Sequence, residues 1–218
     1  MYRDREEAGR RLSRELEDYI GKDAIILAIP NGGVPVGYSL AKNLKGRMSV
    51  LIVRKIQIPW NPEAGFGAIT IDGTAIFNKM LLNRLNLTKE QVEAAVNKTK
   101  KQIDERIGFY KLDKSVYSKL ENETVILTDD GLASGFTMMA AIESVKKYRP
   151  EEITVAIPTA SLGAFQKIES LQVPIVCSNV RNTYYFAVAD AYQNWYDVDE
   201  KEVLEYISRL KAEKRWLD

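Results

Sequence analysis

Short unbroken apolar runs, separated by stretches of helical periodicity, constrain this chain more than any other feature. Ala24 to Ile29 reads AIILAI, Ser49 to Val53 SVLIV, Thr124 to Thr128 TVILT, Ile153 to Ile157 ITVAI and Pro174 to Cys177 PIVC. Runs this short and this apolar suit strands buried on both faces. Between them the spacing predicts helices. In Arg3 to Tyr19, Ala8, Leu12, Leu16 and Tyr19 or Ile20 recur on one face and Gly21 sits at the C-terminal cap position. Val34 to Leu44 tolerates Pro35 in its first turn. Thr88 to Tyr110 opens with the capping-box pair Thr88 and Gln91. Thr137 to Tyr148 must stop near Arg149-Pro150, and Ser161 to Leu171 follows. A last helix begins at Asp199 and Glu202, with Val203, Tyr206, Ile207 and Leu210 on one face. This alternation predicts an α/β fold, a doubly wound and mostly parallel sheet whose ligands bind beyond the C-terminal strand ends.

The 218 residues fit a single domain, 1–218, in which 56–115 forms a flap or insertion and 180–218 a hood with the C-terminal helix. Pro59 to Gly67, PWNPEAGFG, reads as a loop, and Ala68 to Phe77 as a hairpin around Asp72-Gly73.

Composition narrows the chemistry. Histidine is absent, which removes the commonest general base, the Ser–His and Cys–His pairs and the usual zinc ligand. The single cysteine, Cys177, rules out an intrachain disulfide and reads as a core residue. With 31 basic against 30 acidic residues the net charge is +1, so no broad nucleic-acid or membrane footprint is expected. No apolar run is long enough to span a bilayer, and the charged stretch Met1 to Arg14 lacks a signal-peptide core, so a cytoplasmic protein is expected.

The chemistry concentrates in Val125 to Ala141, VILTDDGLASGFTMMAA. An apolar strand ends in two carboxylates, Asp129 and Asp130, and a small-residue loop then opens directly into a helix. Gly131, Ala133, Ser134 and Gly135 let the backbone approach a ligand closely. Loop N–H groups and the hydroxyls of Ser134 and Thr137 converge at the helix N-terminus, an anion site suited to phosphate. The carboxylates suit sugar hydroxyls or a hydrated Mg²⁺. A Walker A loop is excluded because Phe136 stands where its lysine would be. No G-x-G-x-x-G follows any strand. A phospho-receiver would need an aspartate at the end of a later strand, and the next one ends Ala156-Ile157-Pro158. A plain helix cap with two solvated acids would leave the small-residue loop without a purpose.

Val125 to Thr137 resembles the phosphoribosyl pyrophosphate (PRPP) signature of the type I phosphoribosyltransferases. Ile29-Pro30-Asn31-Gly32-Gly33 resembles the family's pyrophosphate loop, and Arg54-Lys55 its basic pair. The segments IPNGGVPVG, VRKI, DDGLASG and FAVADAY with WYDVDEKEV resemble a little-characterised branch of that family. The resemblance implies the type I fold and Mg²⁺-dependent transfer of phosphoribose from PRPP to a small-molecule nitrogen base, with release of pyrophosphate. It implies Asp129 and Asp130 at the ribose and, through water, at the metal. It implies Ala133, Ser134, Gly135, Phe136 and Thr137 around the 5′-phosphate. Asn31, Gly32, Gly33, Arg54 and Lys55 would hold pyrophosphate, with Asp129, Asp130 and Lys55 as the catalytic set. The family often has a non-proline cis peptide in the pyrophosphate loop, expected here before Asn31. Asn31 stands where the branch carries an arginine, and Ala133 where purine enzymes place an aspartate. Ile56 to Gly67 would be the closing loop. Aromatic residues of 180–218 could stack on a planar acceptor: Tyr184, Tyr185, Phe186, Trp195 and Tyr196 are the candidates, Tyr184 and Phe186 foremost, with Asp190 close by as a proton acceptor. Relatives are commonly homodimers, although nothing in this sequence shows one. A PRPP-binding sensor without catalysis is the alternative of a different class.

Overall fold

The computed structural model describes residues 1–218. Its centre is a sheet of β1 (Ile25–Ala28), β2 (Arg47–Val50), β6 (Thr124–Thr128), β7 (Glu152–Ile157) and β9 (Ile175–Cys177), all parallel, in the order β2-β1-β6-β7-β9. Every residue of β1 is buried, as its unbroken apolar sequence requires. Between the central strands run α2 (Gly33–Leu44), which crosses from β1 to β2, and α5 (Phe136–Lys146), which crosses from β6 to β7. The two crossovers travel in opposite directions along the sheet. Since both are right-handed, α2 and α5 lie on opposite faces, which makes the sheet doubly wound. The chain therefore reverses direction between β1 and β6, and the loops leaving these two strands diverge to frame a crevice. Ala28 pairs with Thr128 at the strand ends, so Pro30 to Gly33 and Asp129 to Gly135 emerge side by side.

Helix α1 (Arg5–Leu12) packs on α2, which also meets α7 (Glu200–Ala212). The expected single helix over Arg3 to Tyr19 is broken: after Leu12 the chain tightens into a 3₁₀ segment, Ser13–Tyr19, with Leu16 at φ −120°, ψ 27°. Leu16 is fully buried, and turning it inward takes precedence over continuing a regular helix. Helix α6 (Leu162–Glu169) is capped by Ser161, and Asp199 caps α7 by accepting from the Glu202 N–H.

A second, antiparallel sheet of β3 (Val53–Ile58), β4 (Asn61–Thr70) and β5 (Ala75–Phe77) follows β2. This corrects the reading of Pro59 to Gly67 as a loop: only Pro59 and Trp60 form the turn, and Ile56 to Gly67 is a paired hairpin. Glycines and prolines hide its alternation, but Phe66 is fully buried, and Gly65 leaves room for the Lys55 side chain, whose Cγ would lie 2.1 Å from a Cβ there. The turn at Asp72-Gly73 forms as expected, with Gly73 at φ +85°. Helix α3 (Lys79–Leu85), which the sequence did not announce, precedes α4 (Lys89–Tyr110); α4 carries the full Thr88–Gln91 capping box and packs on β3. Short parallel strands β8 (Ala160–Ser161) and β10 (Val180–Arg181) form a separate two-stranded sheet. No helix is long and apolar enough to cross a membrane. Cys177 is half-buried against the main core, where burial raises its thiol to about 11.

Candidate active site in the crevice between two strand ends

The acidic pair sits at the mouth of the crevice. Asp129 Oδ1 accepts from the Asp130 N–H at 2.8 Å, and Asp130 Oδ2 accepts from Arg5 Nε at 2.8 Å. Burial pushes both carboxyls above their ordinary range. Mutual repulsion adds to this at Asp129, whereas at Asp130 the Arg5 charge opposes it. Burial thus favours the protonated form of Asp129, and a cation brought to the pair would favour its ionised form.

Arg5 is the functional residue most clearly missed in the sequence. It is 5% exposed, donates a second bond to the Tyr196 carbonyl at 2.8 Å, and lies 4.1 Å over the Trp195 ring. Tyr192 completes the arrangement, its hydroxyl donating to the Asp130 carbonyl at 2.7 Å. The signal was present: Arg5, Ala8, Gly9 and Leu12 form the buried face of α1, and an arginine on such a face needs a partner.

The pyrophosphate-like loop meets the same acids. The Pro30–Asn31 peptide is cis, as expected. A Cβ at Gly32 would fall 2.0 Å from Asp130 Oδ2, and one at Gly33 would lie 2.9 Å from the Asp129 Cα, so both positions require glycine by contact. Asn31 does not point its amide at a ligand. Its Nδ2 donates to the Val198 carbonyl at 2.8 Å, and its Oδ1 accepts from the Tyr110 hydroxyl at 3.0 Å.

Two cavities flank the acidic pair. One, about 350 Å³, has Asn31, Gly32, Arg54, Lys55 and Asp130 on its walls, together with Arg5 and Arg106, which the sequence did not single out. The other, about 400 Å³, is lined by Asp129, by the loop from Gly131 to Thr137 and again by Lys55. That loop has the form of an anion cradle. Gly135 at φ +83° caps α5 without a side chain, so the N-terminus of α5 stands at the cavity with no capping side chain on its first N–H groups. Ser161 donates to the Ala133 carbonyl at 2.8 Å, and Lys167 to the Ser134 carbonyl at 2.9 Å, with Lys167 also above the Phe136 ring. Lys55 spans both cavities, its ammonium held by the Glu63 carbonyl across the hairpin.

Most acceptor candidates stand apart. Tyr184 is 93% exposed, Asp190 is exposed, Phe186 is half-buried, and none of these lines either cavity; of the expected aromatics Trp195 lines the first cavity, and Val188 lines the second. No group of three or more His, Cys, Asp or Glu residues is placed to hold a metal by itself. Asp129 and Asp130 each commit one oxygen to a protein donor and retain a second. Hard carboxylate oxygens left open on the walls of the two cavities fit Mg²⁺ sharing its coordination with a ligand.

The family model described as "Phosphoribosyl transferase domain" matches residues 2–188. Two curated Mycobacterium tuberculosis proteins, from strains CDC 1551 and H37Rv and both named "Putative phosphoribosyl transferase", are 28% identical over 209 residues, covering 96% of this chain and 47% of theirs. The chain thus spans about half the length of the curated relatives it matches. Among solved structures, the protein TT1426 from Thermus thermophilus superposes with a TM-score of 0.74 at 26% identity, covering 94% of this chain and 97% of that one.

Proposed function

This chain belongs to the phosphoribosyl transferase domain family, and on that premise we propose that it transfers phosphoribose from PRPP to a small-molecule nitrogen base, with Mg²⁺ and with release of pyrophosphate. One observation carries the reading. A phosphate-type cradle and a cation-lined cavity lie on either side of one acidic pair and share Lys55. PRPP has the matching order of groups: a monophosphate, a diol and a diphosphate.

In this reading Gly131 to Thr137 binds the 5′-phosphate at the N-terminus of α5. Asp129 and Asp130 hold the ribose hydroxyls and favour the positive charge that develops at the anomeric carbon as its bond to pyrophosphate breaks. Arg5, Arg54 and Lys55 take up the charge of the departing pyrophosphate, each charge-assisted contact worth about 1.5–3 kcal/mol. Asp129 and Asp130 would hold Mg²⁺, which when bound neutralises the leaving group. The hairpin β3–β4, carrying Lys55 to the cavity edge, keeps water from the activated ribose. Ala133 leaves the cradle without the aspartate used toward hypoxanthine or guanine, which favours a different nitrogen nucleophile.

The test is pyrophosphate release from PRPP and Mg²⁺ in the presence of pooled nucleobases and small amines, with product mass determined. A base-dependent ribosylated product that disappears in Asp129→Asn supports the transferase. PRPP bound but never turned over would contradict it and favour a sensor.

A further inference from the structure

Arg106 lies on α4, beyond the hairpin, far in sequence from every motif of the site. Its side chain is 18% exposed, and its guanidinium donates to Glu200 at 3.0 Å, in the first turn of α7. Arg106 and Arg54 both line the cation-rich cavity beside Asp130. Both also line a neighbouring cavity of about 540 Å³ between α4 and the start of α7. Burial, followed by the charge of Arg106, lowers the affinity of Arg54 for its proton, so the two cations are close enough to repel. Glu200 and Glu105 offset part of this at Arg54, but the cavity beside Asp130 still sets Arg5, Arg54, Lys55 and Arg106 against Asp130 and Asp197, a positive surplus that an anion would relieve. One turn further along α4, Tyr110 holds Asn31 of the glycine loop. Ile103, Arg106 and Tyr110, at i, i+3 and i+7, therefore form one face of α4 directed at the crevice.

The Asn31 side chain is engaged at both ends by protein, so the loop itself presents only backbone to a ligand. From these contacts we propose that Arg106 supplies, from helix α4, the side-chain cation that the glycine loop lacks, binding the terminal phosphate of the diphosphate after exchanging Glu200 for it. Glu200 acts as the internal competitor: it holds Arg106 in the unliganded protein and lowers diphosphate affinity by the cost of that exchange. This inference rests on the proposed PRPP reading and names a further residue of its diphosphate subsite.

Calorimetric titration with inorganic pyrophosphate in Mg²⁺, and separately with ribose 5-phosphate, tests it. Arg106→Gln is expected to weaken pyrophosphate binding roughly tenfold, the loss of one charge-assisted contact, and to leave ribose 5-phosphate binding unchanged. Glu200→Gln, which keeps Arg106 in place, is expected to tighten pyrophosphate binding several-fold, and to have no such effect in an Arg106→Gln background. Wild-type binding of both ligands with neither variant altering pyrophosphate affinity would overturn the role of Arg106 alone. A wild type that binds neither ligand would overturn the proposed function with it.

Discussion

Arg5 Nε lies 2.8 Å from Asp130 Oδ2, joining the first helix to the strand-end carboxylate across 125 positions of sequence. The pair is buried, at 5% and 15% side-chain exposure, and the guanidinium is sandwiched against Trp195. A buried pair gives little net stability over an apolar replacement, but removing one member strands the other. Arg5→Met should therefore destabilise the protein by about 3–5 kcal/mol. Adding Asp130→Asn to it should recover part of that loss. Urea denaturation of the two single variants and the double variant measures the coupling; additive losses would show that the contact carries no energy.

Gly32 tests the close approach of the two loops. A Cβ there would sit 2.0 Å from Asp130 Oδ2 and 2.6 Å from its Cγ. The carboxylate, not the backbone, is the part able to move, so Gly32→Ala should keep the fold and displace Asp130. A displacement of this size should lower kcat/KM for PRPP roughly 100-fold, with the far-UV circular dichroism unchanged. A variant of normal activity would mean that Asp130 is not positioned by contact with the glycine.

Tyr110→Phe removes a single hydroxyl, the donor to Asn31 Oδ1 at 3.0 Å. Burial raises this phenol to about 12, so it stays protonated and donating throughout the working pH range. Its loss should cost about 1 kcal/mol of stability and raise KM for PRPP more than it lowers kcat, because it loosens the glycine loop and touches no reacting atom. Steady-state kinetics beside a melting curve separate the two effects.

Most of the fold was legible, and the reasons are local. The buried strands announced themselves as apolar runs, and the Thr88–Gln91 capping box set the start of α4. Asp129, Asp130 and the cradle after them were legible because strand, acids, loop and helix are contiguous in sequence. Strand β4 was hidden because Pro62, Gly65 and Gly67 interrupt its alternation, although Gly65 is there to admit the Lys55 side chain. Arg106 could not be assigned from sequence, and Asn31, expected at the pyrophosphate, turns its side chain to protein instead, since their partners Glu200, Tyr110 and Val198 lie 79 to 167 positions away. Arg5 left a trace as a charged residue on an apolar helix face, but its partner is equally distant.

Asp72 predicts an acid-sensitive element. Burial alone would raise its carboxyl, but hydrogen bonds from Thr70, Lys147 and Thr74 outweigh it and hold the group well below the usual carboxylate range. Ser144 of α5 also donates to it, at 3.0 Å, so the carboxylate ties the hairpin turn to that helix. A depressed folded-state value stabilises the protein above the unfolded value of 3.8, and this contribution is lost as pH falls below it. Allowing for solvent screening, Asp72→Asn should cost about 1 kcal/mol at pH 7 and progressively less below pH 4. Melting curves of both proteins across that range should converge toward acid; a constant gap would assign the loss to packing.

The central claim is that PRPP lies across the acidic pair with its two phosphate ends in two separate cavities. Calorimetric titration of PRPP in Mg²⁺ into the wild-type protein and into Asp129→Asn tests it most directly, with ribose 5-phosphate and inorganic pyrophosphate as competitors. The account predicts one-site binding of PRPP, competition by each half-ligand, simultaneous occupancy by the two half-ligands together, and strong weakening in Asp129→Asn. Absence of PRPP binding to the wild type, or half-ligands that exclude one another, would contradict it.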